Sequence, residues 1–445
     1  MTDTNRIDIG IWSELGAGAR WANEGVSRVI GFVIEGGAKS KKYRFHVVVQ
    51  PGLGEDVRKD LRTLHAQEDV DWLVHETDPV ACKKILESPS LAKIAPDERQ
   101  MAAAAMYCNA NIDVAGWFIS FPFFCGAIYL DGPKATLMPD ALGYDFPLGF
   151  SAHDWSARGS QVTWRKKSTR VLAASDTTIT FSRHVARRHV VPLLNAPESR
   201  IQVVPLAPPD LAPLLPFVQD RRRTEASYKS AADLLRRHAA LTGHSYLCDF
   251  PFEEVPFVVT ATQDRVTKNL GRVAEAVRRI VQRQRQNMKL LVTARIEFGA
   301  DWTLMPKVVE EHLFNRDLIS VRDVPRKVHA ALFHCATVTV HPTLFEGIIG
   351  SLPFYESLSV GTPCILARGP HVNELLESEP DLKPYVFDPY DIDGMANLIV
   401  HVRDNREAVL AAQRVIYARL VEYGWDQVAE AYAQAAITPR ERTEG

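Results

Sequence analysis

Short apolar runs rich in β-branched residues recur along the chain, separated by stretches with helical spacing. In the first half, Ile7–Trp12 (IDIGIW) and Tyr43–Val49 (YRFHVVV) read as strands, with a helical stretch around Glu24–Gly36 between them. The order repeats with Ala103–Ala110 helical, then Asp113–Ile119 and Ala135–Met138 extended. Thr163–Ala174 reads as a helix with basic residues on one side, and Thr177–Phe181 as a strand. Ser182 is placed to N-cap a helix over Arg183–Leu194, and Ile201–Pro205 (IQVVP) closes the half as a buried strand. Strands alternating with helices predict a parallel sheet covered on both faces.

The rhythm breaks at Leu206–Pro256, which opens on a proline cluster and continues through a charged helix at about Asp220–Ala240. It resumes with strands at Phe257–Ala261, Lys289–Ala294, Leu318–Val321, Ala336–His341 and Pro363–Ala367. Helices are predicted at Leu270–Gln284, Pro325–His334, Pro353–Leu358, His371–Glu377, Asp391–Val402 and Asp426–Ala436. The pattern predicts two doubly wound α/β domains, 1–205 and 257–425, joined by a linker with a helical insertion at 206–256. A final helix and tail, 426–445, is placed to cross back to the first domain. In such sheets ligands sit at the carboxyl ends of the strands.

At 445 residues, the usual domain-size range favours two or three domains. A formal net charge of −2 recommends no nucleic-acid partner. Six cysteines without CxxC spacing argue against a zinc site and for reduced thiols in the cytoplasm. The N-terminal residues lack a secretory signal pattern. The greasiest stretch, Trp117–Leu130, contains Pro122 and Gly126 and falls short of the roughly 20 residues of a spanning helix. A buried strand and loop is the better reading. Basic clusters at Lys39–Lys42, Arg221–Arg223 and Arg278–Arg285 are either solvated faces or contacts for anionic lipid at the inner face of the membrane.

The most informative segment is His341–Thr362, HPTLFEGIIGSLPFYESLSVGT. It joins a strand, a glycine turn and a helix start, where free N–H groups and the helix dipole favour an anion. Glu346 and Glu356 flank the turn, as hydroxyl recognition beside a phosphate would require; alternatively they only cap the helix. A second segment, Thr260–Asn269 (TATQDRVTKN), puts Arg265 and Lys268 in a loop after the first strand of the second half. There they either neutralise a diphosphate leaving group or are helix-start surface charges.

The strings FVVTATQDRVTKN, HPTLFEGIIGSLPFYESLSVGTPCILA and PHVNELL together resemble the donor half of the family 4 retaining glycosyltransferases. RIQVVPLAPPD and DTTITFSRHVARRHVV extend the resemblance into the first half. It implies the GT-B fold, two Rossmann-like domains facing each other across a cleft. By resemblance Arg265 and Lys268 bind the donor pyrophosphate, Glu346 contacts the transferred sugar and Glu356 holds the ribose. The backbone at Gly347, Ile348, Ile349 and Gly350 would face sugar and phosphate, and Thr362 would lie near the nucleotide.

There are departures from the family pattern. Nine residues rather than seven separate Glu346 from Glu356, and Thr262 and Gln263 replace the usual glycine–arginine pair. In MPDALGYDFP, Asp140 matches the family's cleft aspartate, but Pro139 holds the histidine position; His153 is the second candidate for an acceptor-steering imidazole. Gly16–Gly18 and Glu24–Arg28 occupy the place of the family's first glycine loop, with Arg28 either at the cleft or salt-bridged on its helix.

No DxD pair is well placed, so metal-assisted departure is not indicated and no cofactor is expected. The expectation is a cytoplasmic hexosyltransferase that takes a nucleotide diphosphate sugar, GDP-mannose favoured over a UDP-sugar. The acceptor is a glycan or a lipid-linked oligosaccharide. The alternative is a non-catalytic GT-B subunit that binds a partner glycosyltransferase or a glycan.

Overall fold

The computed structural model describes residues 6–16, 21, 25–146, 155–294, 317–321 and 324–439. The chain divides into two compact units. The first takes Met1–Asp145, Asp154–Ala207 and Tyr423–Gly445; the second takes Phe146–His153 and Pro208–Glu422.

The first unit is built on strands β1 (Ile7–Trp12), β2 (Tyr43–Val49), β3 (Trp72–Glu76), β4 (Gly116–Ile119), β5 (Lys134–Met138), β6 (Thr177–Thr180) and β7 (Ile201–Val203). All neighbours pair in parallel, in the order β3-β2-β1-β4-β5-β6-β7. The order reverses between β1 and β4, which makes the crevice above those two strands the switch point of the sheet. β7 is a partly exposed three-residue edge rather than the longer buried strand predicted, because it has a neighbour on one side only. β3 was not predicted.

Helix Trp425–Ile437 returns from the end of the chain to this unit. Trp425 stacks on Phe32 of helix Gly25–Ser40 at 4.6 Å, and Tyr432 packs against Phe118 of β4 at 5.0 Å. Its polar face is tied down as well: Tyr43 donates to Glu430 at 2.9 Å, and Lys42 pairs with Glu430 at 3.3 Å.

The second unit carries β8 (Phe257–Thr260), β9 (Lys289–Val292), β10 (Leu318–Ser320), β11 (Val338–His341), β12 (Cys364–Ala367) and β13 (Val386–Phe387). They form a parallel sheet in the order β10-β9-β8-β11-β12-β13, so the switch point falls between β8 and β11. Side chains alternate between two cores. Val258, Leu290, Val292 and Val338 pack under helices Leu270–Arg278 and Ile392–Asp404. Phe257, Val259, Leu291 and Ile319 pack under Glu225–Thr242 and Arg326–Cys335. Strands buried on both faces explain why their sequences are continuous apolar runs.

The stretch Trp117–Leu130 is β4, a loop and a short 3₁₀ turn at Cys125–Tyr129. Among the described residues no helix is long and apolar enough to cross a membrane. Several members of the basic clusters are engaged inside the fold. Arg221 pairs with Asp210, Arg223 donates to the Cys335 carbonyl, and Arg279 pairs with Glu275 and Asp393.

Candidate active site

Most of the predicted donor residues gather at the β8/β11 switch point of the second unit. After β8, the chain turns through Arg265 into a single 3₁₀ turn, Val266–Lys268. After β11, it runs through Pro342–Phe345 to Glu346. The Leu344 N–H donates to the Thr267 carbonyl at 2.9 Å, which fixes the two loops side by side. Lys268 Nζ then reaches Glu346 Oε1 in a short, mostly buried ion pair.

Burial opposes ionisation of Glu346, but the Lys268 ammonium beside it prevails and holds the carboxyl down at about 2. His341, the last residue of β11, points its Nε2 at the same oxygen from 3.6 Å. That is too long for a hydrogen bond. Burial pushes the His341 imidazole down to about 3, so it is neutral near pH 7 and the ion pair is Lys268–Glu346 alone.

The turn that follows is rigidly built. Gly350 has φ +69°, in the left-handed region, and a Cβ there would lie 2.7 Å from Tyr355 Oη. Its N–H donates to the His371 carbonyl at 3.0 Å, and Tyr355 Oη donates to the Ile349 carbonyl at 3.0 Å. Ser351 then N-caps helix Leu352–Ser359, its Oγ accepting from Phe354 N at 3.1 Å, with Pro353 in the first turn. Gly347, Ile348, Ile349 and Gly350 thus form the loop that leads into this helix N-terminus.

Glu356 lies one turn into the helix and is almost fully buried, with His329 Nε2 at 3.5 Å from its Oε2. Thr362 is also fully buried; its Oγ1 is 3.4 Å from the His334 carbonyl and takes a bond from Arg406 at 3.3 Å. Arg265 is exposed at the lip of the loop after β8.

Three further groups at this switch point are absent from the sequence-derived set. The hydroxyls of Thr260, Thr267 and Thr343 are buried and have no hydrogen-bond partner among the described residues. They end β8, sit in its following loop, and follow β11. A buried polar atom left unpaired is costly, which marks these three as candidate ligand contacts. Threonine is too common at strand ends to have signalled this.

The first-unit candidates are more dispersed. Asp140 follows β5 and its Oδ1 accepts from Leu142 N at 3.3 Å, bracing the turn into helix Leu142–Asp145. The imidazole beside this turn comes from His189. It is buried, accepts from Ala141 N at 3.1 Å through Nδ1, and therefore donates from Nε2 to Asp145 at 2.7 Å. Arg28 is exposed, its guanidinium 5.9 Å from the Phe32 ring centre. His153, Gly18 and Glu24 lie outside the described residues.

Comparison with solved structures finds proteins that share the fold. The chain resembles sucrose-phosphate synthase from Thermosynechococcus elongatus with a TM-score of 0.63, at 14% identity, covering 96% of this chain and 98% of that one. Anabaena HepE in complex with UDP and glucose matches with a TM-score of 0.65 at 13% identity, covering 96% and 98%. A trehalose 6-phosphate synthase from Burkholderia multivorans matches with a TM-score of 0.59 at 12% identity, covering 97% and 98%. These neighbours are GT-B glycosyltransferases, and the chain has the same two-domain, Rossmann-like GT-B fold. No family model and no curated protein matches the sequence.

Proposed function

We propose that this protein is a retaining glycosyltransferase that moves a hexose from a nucleotide diphosphate sugar to a glycan or lipid-linked oligosaccharide. The reading rests above all on the Lys268–Glu346 pair, held between two tied loops at the switch point of the second sheet. The ammonium is the group to meet the diphosphate, and the carboxylate is the group to meet the sugar hydroxyls. Arg265, exposed at the same lip, and the N-terminus of helix Leu352–Ser359 add positive charge where the leaving group would sit. Glu356, in that helix, is assigned to the ribose, and Thr362 to the wall around the nucleotide.

With cations and a helix end facing the diphosphate, the transfer needs no metal. The bond from the sugar's anomeric carbon to the diphosphate breaks, and the bond to the acceptor oxygen forms on the same face. The acceptor hydroxyl's proton passes to the departing phosphate, releasing the nucleoside diphosphate. Asp140 and His153 remain the candidates to orient the acceptor. The sequence resemblance favours a GDP-mannose type of donor, whereas the HepE neighbour holds UDP and glucose, which supports a UDP-sugar as the second reading.

Glu346→Ala tests the assignment. Sugar transfer and sugar-nucleotide hydrolysis should fall by roughly 10²–10³-fold, the loss that follows removal of one preorganised polar group from a transition-state site. The melting temperature should fall, because Lys268 loses its mostly buried partner, while far-UV circular dichroism below the transition should show the native fold retained. A variant with full activity would refute the site.

A further inference from the structure

Lys268 cannot serve Glu346 and a diphosphate equally well. Its Nζ lies on Glu346 Oε1, and both side chains are mostly buried. A diphosphate that draws the ammonium towards itself leaves the carboxylate short of its counter-charge in a position with little access to water. That is costly unless another donor steps in.

One group is placed to do so. His341, the last residue of β11, aims Nε2 at the same Glu346 oxygen from 3.6 Å. The residue is 3% exposed, and this nitrogen is buried with no hydrogen-bond partner among the described residues. A buried imidazole with a purely structural role satisfies its nitrogens, as His334 does: Nδ1 donates to the Val360 carbonyl at 2.6 Å and Nε2 accepts from Ser227 Oγ at 2.9 Å. His341 Nε2 instead stops just short of the carboxylate. Closing the gap from 3.6 Å to the length of a charged N–H···O bond takes about 0.8 Å of movement.

The groups around the imidazole set its charge. In the free protein burial pushes it down to about 3, with Glu346 pulling it up and His371 and Lys268 pushing it down. His371 belongs to helix Pro370–Ser378 and meets His341 edge to face at 6.1 Å between ring centres; Lys268 belongs to the 3₁₀ turn after β8. A bound sugar nucleotide changes this balance. Its phosphate oxygens engage the Lys268 ammonium, and its diphosphate brings two negative charges to the site. Both changes favour an imidazolium beside the Glu346 carboxylate.

We propose that His341 is a positioning residue that takes up a proton on donor binding: as a sugar nucleotide draws Lys268 off Glu346, the imidazole gains one proton from solvent and donates from Nε2 to Glu346 Oε1. The proposal rests on the donor-site reading of Lys268 and Glu346. No covalent bond forms or breaks. The proton offsets part of the charge that the diphosphate adds, and Glu346 stays ionised and in place for the sugar hydroxyls. Because the complex holds more protons than the free protein, donor affinity falls as the pH rises through the titration of the imidazole in the complex.

The test titrates UDP-glucose and GDP-mannose into the full chain by calorimetry at pH 6, 7 and 8. Each titration is run in two buffers of different ionisation enthalpy, which counts the protons taken up per donor bound. Sugar nucleotides serve as probes because their diphosphate, esterified at both ends, does not titrate in this range. The wild type should take up about 0.5–1 proton at pH 6, and its affinity should fall about tenfold between pH 6 and 8. His341→Gln keeps an N–H donor but cannot titrate. It should bind with no proton uptake and with an affinity that changes less than about twofold over the same range. Circular dichroism shows whether this variant is folded, and the wild-type proton count tests the proposal without it. A wild type that binds a donor with no proton uptake overturns the proposal and leaves the donor site standing. Uptake undiminished in a folded His341→Gln overturns it as well, since the proton then goes to another group. A wild type that binds neither sugar nucleotide overturns the donor-site reading and the proposal with it.

Discussion

Lys268 and Glu346 come from different loops, 78 residues apart in sequence, and each changes what the other can do. Burial raises the Glu346 carboxyl, and the Lys268 ammonium, helped by His341 and His371, holds it down at about 2 against an ordinary value of 4.5. The folded-state value is the depressed one, so the ion pair's contribution to stability is fully present above about 4.5. It is lost as the pH falls from there towards 2. Carbon-13 NMR of the Glu346 carboxyl should show no titration between pH 4 and 7 in the wild type. In Lys268→Ala the midpoint should rise; a midpoint still near 2 would mean that lysine is not the cause.

At this scale the sequence was informative where a charged residue stood at a strand end, because few structural roles compete for such a residue there. Lys268 and Glu346 were singled out that way, and Asp140 through the family resemblance. Glu14, whose carboxyl accepts from the Gly126 N–H at 2.6 Å, was not singled out because SELGAG looks like any polar loop. Its partner Gly126 is 112 residues away, so only the folded chain brings the two together.

Among elements, the strands were legible wherever both faces are buried, since nothing but apolar residues will serve there. β1, β2 and the core of β8, β9, β11 and β12 follow from their sequences almost residue for residue. β3 (WLVHE) did not, because two of its five residues are polar and it pairs only at the edge of the sheet. Helix Arg406–Leu420 also went unread; its charges are spread around it, although Leu410, Ile416 and Tyr417 are buried.

The helix that carries Glu356 was predicted from Pro353, but its start is set by Ser351 one residue before the helix. Ser351→Ala removes the side-chain cap at that end and should cost ~1 kcal/mol. For a domain of this size that amounts to roughly 2–4 °C in the melting temperature. The Phe354 amide should exchange faster with solvent, and an unchanged melting temperature and exchange rate would show that the cap contributes nothing.

For the whole molecule, two parallel sheets and two switch points were implicit in the alternation of strands and helices. Their strand orders were not, because pairing order is decided by long-range packing. The return of the last helix to the first unit likewise depends on pairs such as Tyr43–Glu430, 387 residues apart. In both sheets, a carboxyl oxygen links the loop after the first strand of the unit to the segment across the switch point: Glu14 to Gly126 in one, Glu346 to Lys268 in the other. Parallel sheets place ligands at that position. In the first, the glutamate oxygen is held by the Trp12 indole and the Gly126 amide. The second has a lysine and a helix N-terminus, which suits a nucleotide diphosphate.

The central claim is that the second site binds a nucleoside diphosphate through Lys268. Calorimetric titration of UDP and of GDP into the full chain and into Lys268→Ala tests it most directly. At least one nucleotide should bind the wild type with a stoichiometry near one, and the variant should bind it roughly 10- to 150-fold more weakly, the equivalent of about 1.5–3 kcal/mol for a charged hydrogen bond. Equal affinity in the two proteins, or no binding of either nucleotide to the wild type, would contradict it.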